Sequence, residues 1–264
     1  MSGRAGAATA LLAAEWIKIR TLRSTLWSLL PFLVGGVGLA ALLGASFRAS
    51  LAAGTLGGAR AFDPLFAAFY GLTVAQLGVV VFAALVVGGE YGTGTIRASL
   101  TAVPRRGRFY AAKVAAGMLV AAAVALVTVP AAFLVSQSLL GPYGTAITAD
   151  GVVEALTGTV VYVTLMCGFT LGVATMLRST TRSLGILLPV FLLGSQGLAN
   201  VPGIGKVIQY LPDQSGWVIM HLAGPAGDPR FGRDYGPWTG IGILVLWTAV
   251  SLIGGYLVLR RRDA

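Results

Sequence analysis

The chain carries little charge and few reactive side chains. Asp, Glu, Lys and Arg make up 11% of its 264 residues, whereas a soluble domain has roughly 25%. Because so few polar groups cannot cover a water-facing surface, a bilayer is the expected solvent. The sequence has one cysteine, Cys167, and one histidine, His221. This excludes an intrachain disulfide and a metal site built on a His/Cys cluster.

Nucleotide-binding and acid–base motifs are also missing. No Walker A string GxxxxGK[ST] occurs, and the nearest match, Gly203–Lys206, lacks its spacing. The chain is therefore not expected to hydrolyse ATP or to bind a cofactor. The long apolar stretches contain no ionisable residue. This disfavours an ion-coupled secondary transporter and a membrane-embedded hydrolase.

Long apolar stretches dominate what is present. Six of them are long enough, or nearly so, for a transmembrane helix of about 20 residues. They span about residues 26–47, 65–88, 114–140, 155–177, 184–201 and 238–259. The sequence thus predicts an all-α, polytopic fold with six membrane spans, forming one transmembrane domain over residues 1–264.

Proline and glycine give further detail within the spans. Pro31, Pro130 and Pro189 predict kinks instead of breaks, since neighbouring helices can satisfy the freed carbonyls. The short fifth span ends in Gln196, Gly197, Asn200, Pro202 and Gly203, which predict a bend. Small residues recur every four positions at Gly36, Ala40 and Gly44, and at Gly168 and Gly172. They favour close helix packing within the chain over a subunit interface.

Basic residues are distributed unevenly between the segments that join the spans. If the N-terminus is cytoplasmic, 14 of the 19 Lys and Arg residues lie inside, with only three of the nine acids. The inside residues are Arg4, Lys18, Arg20, Arg23, Arg97, Arg105, Arg106, Arg108, Lys113, Arg178, Arg182, Arg260, Arg261 and Arg262. The positive-inside rule then predicts that both termini are cytoplasmic. The excess of basic over acidic residues is therefore a signal of membrane topology, and no nucleic-acid partner is expected.

Two inner segments carry more than a topology signal. Ala8–Thr25 places Leu12, Trp16 and Ile19 on one helical face, which suits an interfacial helix, although Glu15 falls near that apolar arc. A plain cytoplasmic start to the first span is the alternative. In the loop Gly89–Lys113, glycines predict a turn, and Ala98–Val103 a short helix ended by Pro104. This pattern suits a rigid element that contacts another protein.

These segments resemble the permease subunits of type-2 ABC transporters. The loop residues that carry the resemblance are Gly89, Glu90, Tyr91, Gly94, Thr95, Ile96, Arg97, Leu100, Thr101, Pro104, Arg105, Arg106 and Lys113. The N-terminal residues Glu15, Trp16, Lys18, Arg20, Arg23 and Ser24 are similar to the interfacial helix of that family. Tyr210–Pro212 looks like its outer re-entrant segment, and the six-span topology also agrees.

The resemblance implies a function and partners. It implies an exporter permease in the cell membrane that dimerises with a second copy or a paralogue, contacts membrane lipids, and pairs with a separate ABC ATP-binding subunit. Its ATPase-coupling element would comprise Glu90, Gly94, Thr95, Arg97, Pro104 and Arg105. Its interfacial helix would contain Glu15, Trp16, Lys18 and Arg20. An ATP-independent secondary transporter and a non-transporting scaffold or sensor subunit are the alternatives.

The predicted outer loop between the fifth and last spans, Pro202–Pro237, is polar and rich in glycine and proline. The loop contains Trp217, His221, Asp228, Arg230, Arg233 and Asp234, and one interpretation is that it closes an outer gate. A passive surface loop is the favoured interpretation of its individual charges.

Overall fold

A computed structural model describes residues 2–21, 23–55, 62–103, 105–195, 201, 203–225, 227 and 232–261. In these residues the regular structure is entirely helical, which confirms the all-α prediction. The helices are α1 (Ser2–Thr21), α2 (Arg23–Trp27), α3 (Gly36–Ala52), α4 (Pro64–Ala75), α5 (Leu77–Gly92), α6 (Thr95–Ala102), α7 (Arg106–Leu140), α8 (Val152–Leu177), α9 (Thr180–Ser195), α10 (Gly205–Ile208) and α11 (Pro237–Arg261).

Five helical stretches in the described ranges are long and apolar enough to cross a membrane. They are Ser24–Ala52, Pro64–Gly92, Arg106–Tyr143, Val152–Leu177 and Pro237–Arg261. They match five predicted spans and extend beyond them, because helices continue into flanking polar residues. The predicted fifth span is the shorter apolar helix Thr180–Leu193. Its expected bend near residues 196–200 lies outside the described residues, and the six-span count stays a prediction.

The three prolines predicted to kink the spans do not end their helices. Pro31 begins a π-helical turn, Pro31–Gly35, between α2 and α3. Because Pro31 has no N–H to donate, the ladder is rearranged there, and the Leu29 carbonyl accepts from both Phe32 N and Leu33 N at 3.1 Å. Helices α7 and α9 continue through Pro130 and Pro189. The prediction that these prolines would not break the spans is confirmed.

The stretch Pro64–Gly92, formed by α4 and α5, is the most buried of the five long apolar stretches. Phe69, Leu72 and Phe82 on it are almost completely buried. The outer stretches instead expose large apolar side chains, such as Leu126 on α7 and Leu246 on α11. Exposed apolar faces around a packed centre are what a lipid solvent permits, since lipid tails are as apolar as these side chains.

Small residues let the helices approach closely. Gly36, Ala40 and Gly44 of α3 are all buried, and a Cβ on Gly44 would lie 2.8 Å from the backbone oxygen of Ser136 on α7. A Cβ on Gly172 of α8 would lie 2.5 Å from the Ser251 carbonyl carbon on α11. Both small-residue ridges therefore pack within the chain, as predicted.

The segment before the last span is partly buried, and its interpretation as a passive surface loop is wrong for Arg233, which is 3% exposed. Residues 212–220 are buried because the chain folds back between α8 and α11. The Tyr162 hydroxyl, ten residues or about 15 Å into α8, is 2.7 Å from Gln76 Oε1 and 3.0 Å from the Asp213 carbonyl. Tyr162 thus links α8 to the junction of α4 and α5.

The described residues between α10 and α11 are called the re-entrant segment below, because the chain folds back against the helices there. Their charged side chains find partners within the segment or at the start of α4. Arg233 is buried, donates to Gln214 Oε1 at 3.1 Å, and lies with its guanidinium 5.6 Å from the centre of the Trp217 ring. Gln214 in turn donates to Asp213 Oδ2 at 2.9 Å. His221 contacts Asp63, the N-cap of α4, at 2.9 Å. These contacts fix the segment against the distal end of the bundle, the end formed by the starts of α4, α8 and α11.

The close approach of α3 and α7 at Gly44 predicts that a larger residue at this position lowers the stability of the fold. Gly44→Ala places a methyl group against the α7 backbone, which cannot yield as a flexible side chain would. We expect a loss of about 1–3 kcal/mol from overpacking, read as a lower midpoint of thermal unfolding in detergent. Gly38→Ala on the same helix is the control, because nothing lies within 4 Å of its added Cβ. Equal midpoints for the two variants would contradict the packing described here.

Candidate functional site

Four charged side chains from three segments meet at one end of the bundle. Glu15 and Lys18 come from α1, Glu90 from the last turns of α5, and Lys113 from the third turn of α7. These four residues are called the charge cluster below. The end where they meet, formed by α1, α6, the start of α7 and the end of α11, is called the basic end.

Each lysine of the charge cluster bridges both carboxylates. Lys18 Nζ is 2.6 Å from Glu15 Oε1 and 2.9 Å from Glu90 Oε1. Lys113 Nζ is 2.7 Å from Glu15 Oε2 and 2.8 Å from Glu90 Oε1. Two acids and two bases thus form a closed, electrically neutral ring that joins α1, α5 and α7.

Because most of this ring is buried, the loss of one charged member would leave another charge without its partner. Glu15 and Lys113 are each 4% exposed and Glu90 is 8% exposed. Removing one member of a buried charged group leaves an uncompensated charge, which is far more costly than losing a surface ion pair. Burial opposes the charge on Lys18, but the hydrogen bonds and the attraction to Glu15 and Glu90 together raise its pKa above the ordinary value. Lys18 is therefore fully charged at neutral pH.

Aromatic and hydroxyl groups complete the surroundings of the cluster. The Phe109 ring of α7 lies under both ammonium groups, 5.4 Å from Lys18 Nζ and 5.2 Å from Lys113 Nζ. Cations at this distance are attracted by the ring face. Lys18 Nζ also donates to Ser99 Oγ of α6 at 3.2 Å. The cluster is thereby linked to a fourth segment, α6.

Helix α6 lies across the basic end and is held by one buried residue. It begins after Gly94, whose φ of +73° lies in the left-handed region that favours glycine. Ile96 is buried with Phe109, Tyr110 and Leu259, so α6 rests on α7 and α11. The predicted helix Ala98–Val103 is real but starts three residues earlier, at Thr95. The predicted helix-ending residue, Pro104, lies outside the described residues.

Two arginines tie the end of α11 to the same surface. Arg106 of α7 donates to the carbonyls of Leu259 at 2.9 Å and Arg260 at 3.3 Å. Arg178, after α8, donates to the Val258 carbonyl at 3.2 Å and lies 5.6 Å from the Tyr91 ring. Cations at a helix C-terminus satisfy otherwise unpaired carbonyls and suit the helix dipole. At the basic end, the end of α11 is therefore hydrogen-bonded to α7 and to the residue that follows α8.

The residues predicted for the coupling element and for the interfacial helix divide into two groups. Glu15, Lys18 and Glu90 come together in the charge cluster. Gly94, Thr95 and Arg97 lie on the exposed side of the α5–α6 turn and α6, and Arg105 is exposed just before α7. Trp16 and Arg20 are exposed on α1. The predicted common face of Leu12, Trp16 and Ile19 is only partly right, because α1 buries Ile19 and Glu15 while Trp16 is 46% exposed.

Three contributors to the site were not among the predicted site residues: Lys113, Ser99 and Phe109. A signal for Lys113 was present, since Glu15 stood on an otherwise apolar arc and needed a buried cation. No sequence feature pointed to Ser99 or Phe109. In the described part of the chain, no group of three His, Cys, Asp or Glu side chains could hold a metal ion. The four charged side chains tie α1, α5 and α7 together through ion pairs.

The closed ring predicts a non-additive response to mutation. Lys113→Met leaves two acids with one lysine, and we expect a loss of about 3–5 kcal/mol in the free energy of unfolding. Adding Glu15→Gln restores neutrality, so the double variant should be more stable than Lys113→Met alone. Thermal unfolding in detergent measures this, with the exposed Lys206→Met as control. Additive losses in the double variant would show that the four charges do not act as one group.

Comparison with known families fits this geometry. The sequence matches the family described as ABC-2 family transporter protein over residues 9–264. Curated proteins give no significant match. The matched region contains the five long apolar stretches, the charge cluster and α6. With nearly the whole chain covered, this protein is a member of the ABC-2 family of membrane transporter proteins.

Proposed function

We propose that this protein is the permease subunit of an ATP-driven exporter, which forms the translocation pathway as a dimer and is driven by a separate ATP-binding subunit. Family membership supports a role as the membrane component of an ABC transporter. The observation that carries the coupling role is α6, a short helix with an exposed polar side and a buried anchor, Ile96, seated on the charge cluster.

A force on α6 has a defined route into the bundle. Ile96 transmits it to α7 and α11 through Phe109 and Leu259. Ser99 transmits it to Lys18 and hence to Glu90 at the end of α5. Because the four side chains of the cluster are paired with one another and three of them are buried, α1, α5 and α7 would move together. Closure of an ATPase dimer against α6 would shift the balance between inward- and outward-open states through this route.

The most buried stretch links the two ends of the bundle. Glu90 lies near one end of the α4–α5 stretch, and Gln76 interrupts it at the junction of the two helices. Gln76 is bonded to Tyr162, which contacts the re-entrant segment at Asp213. Movement of α5 at the basic end would therefore reach the segment that covers the distal end. This supports alternating access with the re-entrant segment as the outer closure.

The charge distribution supports an orientation with the basic end in the cytoplasm and both termini inside, in the cell membrane. Of the 19 basic residues, 14 belong to that side. An ATP-binding subunit would meet α6 only from the cytoplasm. The exposed apolar faces of α3, α9 and α11 provide area for lipid and for a second copy.

Orientation can be tested by cysteine labelling. The only native cysteine, Cys167, is buried and gives little background. Thr148, between α7 and α8, and Thr101, on α6, are both exposed. A membrane-impermeant maleimide should label the Thr148→Cys variant in intact cells and the Thr101→Cys variant only after permeabilisation. The opposite pattern would reverse the proposed orientation.

Coupling can be tested with the exposed face of α6. An affinity-tagged permease should co-purify from its native membranes with an ABC ATP-binding subunit. In lipid nanodiscs, Arg97→Ala should reduce ATP hydrolysis by this complex on the order of tenfold, as expected for an interface contact worth about 1.4 kcal/mol. Arg182→Ala, at another exposed arginine on the same side, is the matched control.

Two outcomes would contradict the coupling proposal. Unchanged hydrolysis in the Arg97→Ala complex, at normal membrane insertion, would separate α6 from the ATPase. Transport by vesicles that hold this chain alone, stopped by collapse of the proton gradient and not by ATP depletion, would identify a secondary transporter.

A further inference from the structure

An apolar groove separates α1 from α7 beside the charge cluster. Leu12, Ala13 and Trp16 line it from α1, and Ala116 and Leu119 line it from α7. Its volume is about 260 Å³, slightly below the range of about 300–1,000 Å³ typical of drug-sized ligands. The groove is open to the surroundings, since Trp16 is 46% and Leu119 62% exposed. It suits part of one flexible chain better than a compact molecule.

The contacts of α1 with α7 run in opposite chain directions, which gives the groove two different ends. The groove residues Leu12 to Trp16 face Ala116 and Leu119. Further along α1, Glu15 bonds Lys113, and Lys18 lies over the ring of Phe109. Later residues of α1 thus meet earlier residues of α7. One end of the groove points into the membrane-spanning part of α7, and the other opens at the basic end.

A cation from each helix stands at the basic opening. Arg20 follows Trp16 by four residues and continues the groove-lining face of α1. Arg108 precedes Leu119 by eleven residues, about three helical turns, and lies on the same face of α7. Both side chains are exposed. Among the described residues, the acids at the basic end are Glu15 and Glu90, and both are engaged by Lys18 and Lys113.

The spacing of the apolar and cationic parts matches one phospholipid. Leu119 and Arg108 are separated by about 16 Å along α7 at 1.5 Å per residue. Half of the hydrocarbon core of a bilayer is about 15 Å thick. An acyl chain lying between α1 and α7 would therefore place its phosphate at the level of the two arginines, while Trp16 sits near the headgroup boundary where Trp is favoured.

We propose that the groove between α1 and α7 binds one anionic phospholipid of the leaflet at the basic end, its acyl chain against Trp16 and Leu119 and its headgroup between Arg20 and Arg108. The lipid fills the side of α1 that the charge cluster leaves open. It holds α1 against α7 beside the charge cluster. The site is independent of the ATP-binding subunit, and binding is measurable on the permease alone.

Native mass spectrometry of the detergent-purified protein tests the headgroup. Dioleoyl phosphatidylglycerol and dioleoyl phosphatidylcholine share the same chains and differ in charge. We expect the phosphatidylglycerol adduct to be favoured about thirtyfold, from roughly five- to sixfold for each arginine near a charged headgroup. The Arg20→Gln/Arg108→Gln double variant should lose this preference, and Arg182→Gln, at an exposed arginine away from the groove, should keep it.

A second pair of variants tests the groove itself. Ala13 lines the groove, whereas Ala14, also exposed, does not. Ala13→Phe should fill the groove and reduce retention of the first phosphatidylglycerol at least about fivefold, a difference near 1 kcal/mol, while Ala14→Phe should not. Since both positions are exposed, folding should survive, and size-exclusion chromatography checks this.

Three results would overturn the proposal. The first is equal retention of the two lipids by the unmodified protein. The second is an equal effect of Ala13→Phe and Ala14→Phe, or of the arginine double variant and Arg182→Gln. The third is displacement of phosphatidylglycerol by glycerol phosphate at equal concentration, which would show an anion site that does not use the groove.

Discussion

The buried ring of Glu15, Lys18, Glu90 and Lys113 is the interaction on which the basic end depends. Each of its members is paired twice, and the ring as a whole is neutral. It joins an N-terminal helix to the ends of two helices of the bundle. In a chain with so little charge, four charges placed together, three of them buried, mark a joint between these helices. Helix α6 is seated on this joint.

A second constraint applies to polar groups that are removed from water, which need hydrogen-bond partners inside the protein. The buried residues of the re-entrant segment find such partners. The Tyr162 hydroxyl lies within hydrogen-bond distance of Gln76 and of the Asp213 carbonyl in this segment. Arg233 donates to Gln214 and lies over the Trp217 ring. The α4–α5 stretch touches both this segment and the charge cluster. The two ends of the molecule are thus connected through the most buried helices.

Much of the fold could be predicted from the sequence because apolar length and proline act locally. Five spans, the continuity of α7 through Pro130 and the short fifth helix followed from such signals. The site was only partly predictable. Glu15 and Glu90 were singled out, but their contact depends on how α1 packs on α7, which no local pattern encodes. The burial of Arg233 was missed because a charge in a glycine-rich segment resembles a surface loop until its partners are known.

The central claim is that the charge cluster is the joint through which α6 acts. A charge swap tests this claim most directly. Glu15→Lys and Lys113→Glu each unbalance the ring by two charges, whereas the two together restore two acids and two bases. The measurement is ATP hydrolysis by the permease assembled with its ATP-binding subunit, at matched membrane insertion. The account predicts that each single swap loses activity and that the double swap recovers most of it. A double swap as inactive as the single swaps, or single swaps with full activity, would contradict it.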